Sequence, residues 1–319
     1  MRWTSAACLL FMLLHNPTAD QEQAQDKLTV THEGKTISVL NRDAHSLGVF
    51  PLLDKEQYNA WVNELDRKTY KEAQNASFDA GGRIVEGKNG YKLDRRAFLM
   101  KYYAYLYETK GPAVIEVPTY PVYPKVDTEL LASLRSKQIG YYITYYNAGN
   151  RDRSHNIALA AEAIDGTVIF PGERFSFNRV VGIRTTGRGY RRAAVIVRGE
   201  LSEGVGGGIC QVSSTLFNAA DRAGLKIVQR YSHSRHVPYV PSGRDATVSW
   251  GGPDFVFDNA YNQPVLLRAF AGGGSMAVSI LSSDVIEYFP KKVPSISHHL
   301  PEEVRDITAS QSPGHQKKN

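Results

Sequence analysis

Residues 204–259 read GVGGGICQVSSTLFNAADRAGLKIVQRYSHSRHVPYVPSGRDATVSWGGPDFVFDN, and the fold of the C-terminal half turns on this stretch. From Ile209 to Arg222 the pattern is helical: Val212, Leu216, Ala219 and Ala223 recur at the spacing of one apolar stripe. Gly224 fits the position after the helix, where φ is usually positive. At 100° per residue Cys210 falls nearly opposite the stripe, on the face of Ser213, Ser214, Phe217 and Asp221. Cys210 therefore sits in the first helical turn, where unpaired N–H groups and the helix dipole favour a thiolate. The glycines at 206–208 allow another backbone or a ligand to approach closely, so Gly207 and Gly208 join the candidate site. A small cysteine packed against a glycine turn is the plainer alternative.

A thiolate nucleophile needs a base and a group that orients the base. His233 and His236 supply candidate bases and Asp245 the orienting carboxylate, all on what the pattern reads as the next two strands. A tight hairpin at 241–243 would set Tyr239 opposite Asp245, and Pro238 and Pro241 interrupt regular pairing. Gln211 is the natural helper for an oxyanion, through its backbone or its side chain. Ser213, Ser214, His236, Tyr239 and Arg244 complete the candidate substrate-binding set. Against this, each histidine can be a hydrogen-bonded structural residue, and Arg244–Asp245 an internal ion pair at the turn.

Glu173 is a second candidate. It lies in a Pro-Gly-Glu turn beside Phe175 and Phe177, aromatic neighbours that would desolvate a carboxyl and suit it to act as the acid in glycan cleavage. A solvated turn carboxylate is the plainer reading. His233 and His236 have no second ligand pair beside them, so no metal site is expected, and no cofactor motif is present.

Upstream, residues 27–39 alternate about His32-Glu33-Gly34-Lys35 as a hairpin, and 53–71 carry Tyr58, Trp61, Leu65 and Tyr70 on one helical face. A strand is expected at 83–85, a helix from Leu93 through Leu106, and a strand at 113–117. Three prolines and two tyrosines in 118–125 mark a linker whose tyrosines either pack or stack on sugar rings. Asp127 caps a helix over 128–137, Ser154 caps one over 155–164, and strands are expected at 139–146, 168–170, 193–197, 265–270 and 276–281.

The chain has 319 residues, 42% hydrophobic and 22% charged, enough to bury a sizeable core. Its net charge of +6 is spread along the sequence. That suits work against an anionic surface such as bacterial wall or membrane, and no basic helix or aromatic RNA-binding signature points to nucleic acid. Met1-Arg2, the apolar residues 6–14 and the small or turn-forming residues 16–19 have the layout of a secretory signal peptide. Export to the periplasm or cell wall is expected, with membrane contact only if that segment is retained. Cleavage near Ala19 would remove Cys8 and leave Cys210 as a lone thiol.

The cysteine-on-a-helix, then histidine, then aspartate order resembles the transglutaminase-like and papain-like arrangement. A more specific likeness is carried by PGERFSFN at 171–178, GGGICQVSSTLFNAA at 206–220, His233-Ser234, and YVPSGRDATV at 239–248. Over about 138–270 the chain resembles the VanW family, which takes its name from an accessory product of vancomycin-resistance clusters. Leu93-Asp94-Arg95 and the helix after it are more weakly similar to a module, regarded as peptidoglycan-binding, that often precedes VanW domains. The resemblance implies a setting at the bacterial cell wall, with peptidoglycan or its precursors as partner. No separate C-terminal wall-adhesion module is evident.

The expected architecture is α+β in two domains. Residues 1–19 are the signal peptide, 20–26 a linker, 27–117 the first domain and 118–127 a second linker. The VanW domain, with a mixed or antiparallel sheet, covers 128–285, and 286–319 form a flexible tail. Three functions are compatible: a Cys210-dependent hydrolase or transpeptidase of stem peptides, a non-catalytic wall-binding or assembly factor, and a glycan-cleaving enzyme built on Glu173.

Overall fold

The alternating residues after Asp26 form the first hairpin, β1 (Lys27–His32) and β2 (Lys35–Asn41), which turns at Glu33-Gly34. In this computed structural model the described residues are 26–47, 52–108, 111–197 and 200–296, so the segment expected to be a signal peptide and the end of the expected tail lie outside them. Described residues within Met1–Asn75 and Gly87–Lys125 make one unit; those within Ala76–Glu86 and Val126–Asn319 make the other. The protein is α+β throughout.

In the first unit, helix α1 (Lys55–Thr69) starts at Asp54, whose carboxylate accepts from the N–H groups of Glu56 and Gln57. Its buried face is Tyr58, Val62 and Leu65; Tyr70 caps the end and is half exposed, off that face. The hairpin β3 (Ser77–Phe78) and β4 (Ile84–Val85) belongs to the second unit. Strand β5 (Gly90–Leu93) leads into α2 (Arg95–Tyr107), capped in the same way by Asp94. Strand β6 (Ala113–Glu116) adds parallel to β1. Leu28, Val30, Ile115 and the helix residues Leu65, Phe98 and Tyr102 share one core.

The stretch expected as a linker contains β7 (Thr119–Val122), antiparallel to β5. Its tyrosines do not pack: Tyr120 and Tyr123 are 45% and 70% exposed.

The second unit opens with α3 (Thr128–Ser133), capped by Asp127 and shorter than the pattern suggested because β8 (Lys137–Tyr145) follows at once. Helix α4 (Arg151–Ile164) begins one turn earlier than expected. Asn150 is its cap, while Ser154 donates back to the Asn150 carbonyl from inside the first turn. Then come β9 (Val168–Ile169), β10 (Arg174–Ser176) and the short α5 (Phe177–Val181). A second hairpin, β11 (Arg192–Val197) and β12 (Glu200–Val205), precedes α6 (Ile209–Arg222). Strands β13 (Lys226–Gln229), β14 (Val256–Asp258), β15 (Val265–Gly272) and β16 (Ser275–Ser282) complete the unit.

Two antiparallel sheets organise it, one of order β8-β16-β15-β9 and one of order β10-β14-β13. Helix α6 lies against β8 and β16, and α4 against β15. The α6 stripe of Val212, Leu216, Ala219 and Ala223 is fully buried, as its spacing requires. Phe175 stacks on Phe257 with ring centroids 4.9 Å apart, and Phe217 meets Phe255 edge-on.

Two expectations fail here. Residues 230–255, expected to hold two strands, form none; they run as turns and extended chain across the face of α6 that is not on the sheet. Residues 286–296, expected to begin a flexible tail, pack down. Ile286 and Val293 enter the core, Arg222 donates to the Val293 carbonyl, and Tyr142 Oη donates to that of Pro294.

Candidate active site

Cys210 is the second residue of α6, and the approach to it explains the three glycines. Gly208 is the N-cap with φ +106°, a left-handed conformation that side chains resist, and it offers no side-chain cap to the first N–H groups. A Cβ on Gly207 would lie 2.6 Å from the Ala193 carbonyl carbon and the Ala194 oxygen, so only glycine lets the turn lie against β11. Asn156, buried in α4, fixes the turn by donating to the Gly207 and Arg191 carbonyls and accepting from Arg191 N–H. The helix thereby presents an uncapped, positive end at the thiol.

The opposite wall comes from the irregular segment 230–255. Lacking a sheet partner, it is held by turn bonds such as that from Thr247 N–H to the Tyr231 carbonyl and, at Arg244 and Ala246, by polar side chains of α6. Ser213 Oγ donates to the Ala246 carbonyl at 2.5 Å, Ser214 Oγ accepts from Ala246 N–H at 2.8 Å, and Asn218 Nδ2 donates to the Arg244 carbonyl at 2.8 Å. Arg244 returns bonds to Asn218 Oδ1 and Asp221 Oδ2. These contacts place Asp245, whose Oδ2 accepts at 2.6 Å from both Nδ1 and the backbone N–H of His233. The His233 side chain is only 6% exposed, and Tyr239 stands edge-on to it.

Cys210, partly accessible, faces this imidazole, with Sγ also 3.6 Å from the Val248 carbonyl and 3.8 Å from Thr247 Oγ1. Burial pushes the thiol up, but pairing with His233 and the contacts with Val248 and Thr247 outweigh it, so the thiol lies below its ordinary value. Burial pulls His233 down, but the Cys210 sulfur and Asp245 more than compensate, leaving the imidazole above the usual histidine range. Burial raises Asp245, and the two His233 bonds outweigh that to hold it below the usual carboxylate range. Burial, and next the neighbouring sulfur, push the Tyr239 hydroxyl well up, so it stays a neutral phenol. A thiol drawn down beside an imidazole drawn up favours a thiolate–imidazolium pair, whose members titrate as a unit.

Both groups open on a cleft of about 740 Å³, within the range of small-ligand sites. Gly208, Gln211 and Tyr239 also line it, as do three residues that the sequence did not single out: Arg153, Arg184 and Trp250. A second depression of about 240 Å³ shares His233 and holds the exposed His236.

Other expected roles change. Gln211 is buried with both side-chain donors used, on Thr144 Oγ1 and the Tyr145 carbonyl, and its backbone N–H donates to Gly208 O. It has no donor left for an oxyanion; its Oε1 instead anchors Arg153 at 2.8 Å. Ser213 and Ser214 are fully buried struts rather than ligand contacts. Arg244 pairs with Asp221, not with its neighbour Asp245. Glu173 does not line the cleft; its Oε2 accepts from Phe170 N–H at 3.0 Å across its own turn, and Phe175 and Phe177 point into the core. No group of three or more metal-ligand side chains occurs among the described residues, and none of their helices is long and apolar enough to cross a membrane.

Comparison with known proteins finds relatives of this sequence. The family model described as VanW like protein matches residues 152–281, which include every side chain of the cleft. The uncharacterized protein YoaR of Bacillus subtilis (strain 168) is 56% identical over 288 residues, 90% of this chain and 95% of that protein. The vancomycin B-type resistance protein VanW of Enterococcus faecalis (strain ATCC 700802 / V583) is 37% identical over 109 residues, 33% of this chain and 40% of that protein. No solved structure matches.

Proposed function

The chain belongs to the VanW family, and from that premise we propose that it is an exported bacterial cell-wall protein whose Cys210 performs acyl transfer on peptidoglycan stem peptides. The observation that carries the reading is the 2.6 Å bond between His233 and Asp245 in one cleft with Cys210, whose thiol interacts with that imidazole from a helix N-terminus that has no side-chain cap. That set supplies a nucleophile, a proton carrier and an orienting carboxylate. The relative named for vancomycin resistance ties the family to an antibiotic that acts on the wall.

In the proposed reaction the Cys210 thiolate attacks a peptide carbonyl carbon. The C–N bond breaks as the C–S thioester forms, and the His233 imidazolium gives its proton to the departing amine. Water or an acceptor amine then attacks the thioester, His233 takes the proton from that nucleophile, and the thiolate leaves. Water gives hydrolysis; an amine gives transpeptidation. Asp245 holds Nδ1–H so that the other ring nitrogen faces sulfur throughout. The first unit, with exposed Tyr120 and Tyr123, serves wall attachment in this account.

Intact-protein mass spectrometry tests it. Chain incubated with muropeptides and quenched in acid should carry an acyl adduct on Cys210, lost in Cys210→Ala. Absence of adduct under every acceptor condition, together with saturable wall binding, would favour the non-catalytic reading. That alternative has Trp250, 55% exposed on the cleft lining, on its side.

A further inference from the structure

The cleft contains a cation that no acid among the described residues holds by a hydrogen bond. Arg184 leaves the loop between α5 and β11 and crosses Gly206, where a Cβ would lie 3.2 Å from its own Cβ and 3.3 Å from its Cγ. Its guanidinium lies over the Phe177 ring, 5.7 Å from the centroid. Both terminal nitrogens are buried, and neither finds a hydrogen-bond partner among the described residues. A structural arginine at such a depth is ordinarily forked onto a carboxylate or carbonyls, as Arg244 and Arg222 are here. Asp254, the nearby acid, instead accepts from Ser176 Oγ and the N–H groups of Asn178 and Phe255.

The surroundings share that bias. The charged residues lining the cleft are Arg153, Arg184 and His233; no Asp or Glu is among them. Burial draws Arg184 down, and the next influences, Tyr190 and then the Cys210 sulfur, act the other way, so guanidinium and thiol lie within electrostatic reach. Both terminal nitrogens lie beneath the surface of an acid-free cleft, and a turn of the side chain would bring to it a planar fork of unused donors that matches a carboxylate.

We propose that Arg184 is a specificity residue that binds the free C-terminal carboxylate of a peptide, selecting as leaving group the terminal amino acid of the chain that Cys210 attacks. The inference rests on the acyl-transfer reading and narrows it to exo-acting chemistry: a carboxypeptidase, or a transpeptidase that expels the last residue. The thiolate adds to the carbonyl of the penultimate residue, the C–N bond breaks, and the amino acid departs with its amine protonated by His233 and its carboxylate on Arg184. The thioester left behind passes to water or to an amine as above.

The test uses two alkylating probes and one peptide pair on the full chain. Iodoacetate carries a carboxylate and iodoacetamide is its neutral counterpart. Wild type should show an iodoacetate-to-iodoacetamide rate ratio at Cys210 about tenfold above that of Arg184→Gln, a ratio in which any change of thiolate fraction cancels because both probes share it, and the ratio should fall with added salt. Arg184→Lys should keep part of the preference. Equal ratios in wild type and Arg184→Gln would overturn the proposal. Should that variant fold poorly, a wild-type ratio that is insensitive to salt overturns it equally.

In the second arm, a muropeptide-type tetrapeptide with a free carboxylate should protect Cys210 from iodoacetamide, and its C-terminal amide should not. Equal protection or equal turnover of acid and amide would sink the Arg184 assignment and leave the acyl-transfer reading standing. Selective protection without cleavage would do the reverse, leaving a carboxylate-binding site that is not an enzyme's.

Discussion

Exchanging Asp245 for Asn separates geometry from charge in the proposed triad. Asp245 Oδ2 accepts two bonds from His233, each 2.6 Å, with a side chain only 9% exposed. Hydrogen bonds to a charged group contribute about 1.5–3 kcal/mol each, roughly twice a neutral one. An Asn oxygen can accept both, so Asp245→Asn should cost about half the total, on the order of 1.5–3 kcal/mol of stability. The share felt by the imidazole through Nδ1 is about 0.75–1.5 kcal/mol, or roughly one pKa unit.

The sign follows from the two shifts. Asp245 is depressed, so its contribution is present above the ordinary carboxylate value and lost as pH falls through its folded value. His233 is raised, so its contribution is complete below the ordinary histidine value and lost as pH rises through its folded value. The stability gap between wild type and variant should therefore be widest between these limits. Iodoacetamide labelling of Cys210 against pH gives the kinetic readout: weakening the imidazolium should move the high-pH step of the profile, where His233 loses its proton, down by about one unit. Superimposable profiles for wild type and Asp245→Asn would refute the claim that the Asp245 charge sustains the thiolate.

Three further outcomes follow from the surrounding structure. Ser214→Ala should lower the urea-unfolding free energy by about 1–3 kcal/mol, because the buried Ala246 N–H loses its acceptor; an unchanged midpoint would show that the segment holds without α6. Gly207→Ala should cost about 1–3 kcal/mol or more in thermal unfolding, since the new Cβ meets β11 backbone that cannot rotate away. Glu173→Gln should leave release of wall fragments unaltered, because the carboxylate caps its own turn outside the cleft; loss of fragments would move the chemistry there.

Most of the scaffold was legible because its signals are local. The stripe of α6, the Asp127 cap and the hairpin at Glu33-Gly34 depend on neighbours a few residues apart. The Cys210, His233 and Asp245 set could be nominated by residue type, but its geometry could not be derived. Strand logic set Tyr239 opposite Asp245, whereas the segment forms no strand and is held by Ser213, Ser214 and Asn218 of α6. Ser213 and Ser214 read as ligand-facing, and Asn218 drew no reading, since a helical wheel cannot show that a second layer covers the polar face. Arg153 and Arg184 went unremarked for a related reason: their meaning lies in partners distant in sequence, or, for Arg184, in having none among the described residues. The one available hint was the loop at 182–190, rich in glycine, threonine and arginine. The packing of Ile286 and Val293 was hidden by a polar, proline-bearing sequence whose two apolar anchors are widely spaced.

The most direct test of the central claim is to incubate the purified chain with isolated peptidoglycan and read soluble fragments by mass spectrometry, with Cys210→Ala and Glu173→Gln alongside. The account predicts cut or newly cross-linked stem peptides from wild type and Glu173→Gln and none from Cys210→Ala. Fragments that persist in Cys210→Ala, or reducing-end or anhydro sugars that vanish only in Glu173→Gln, would contradict it.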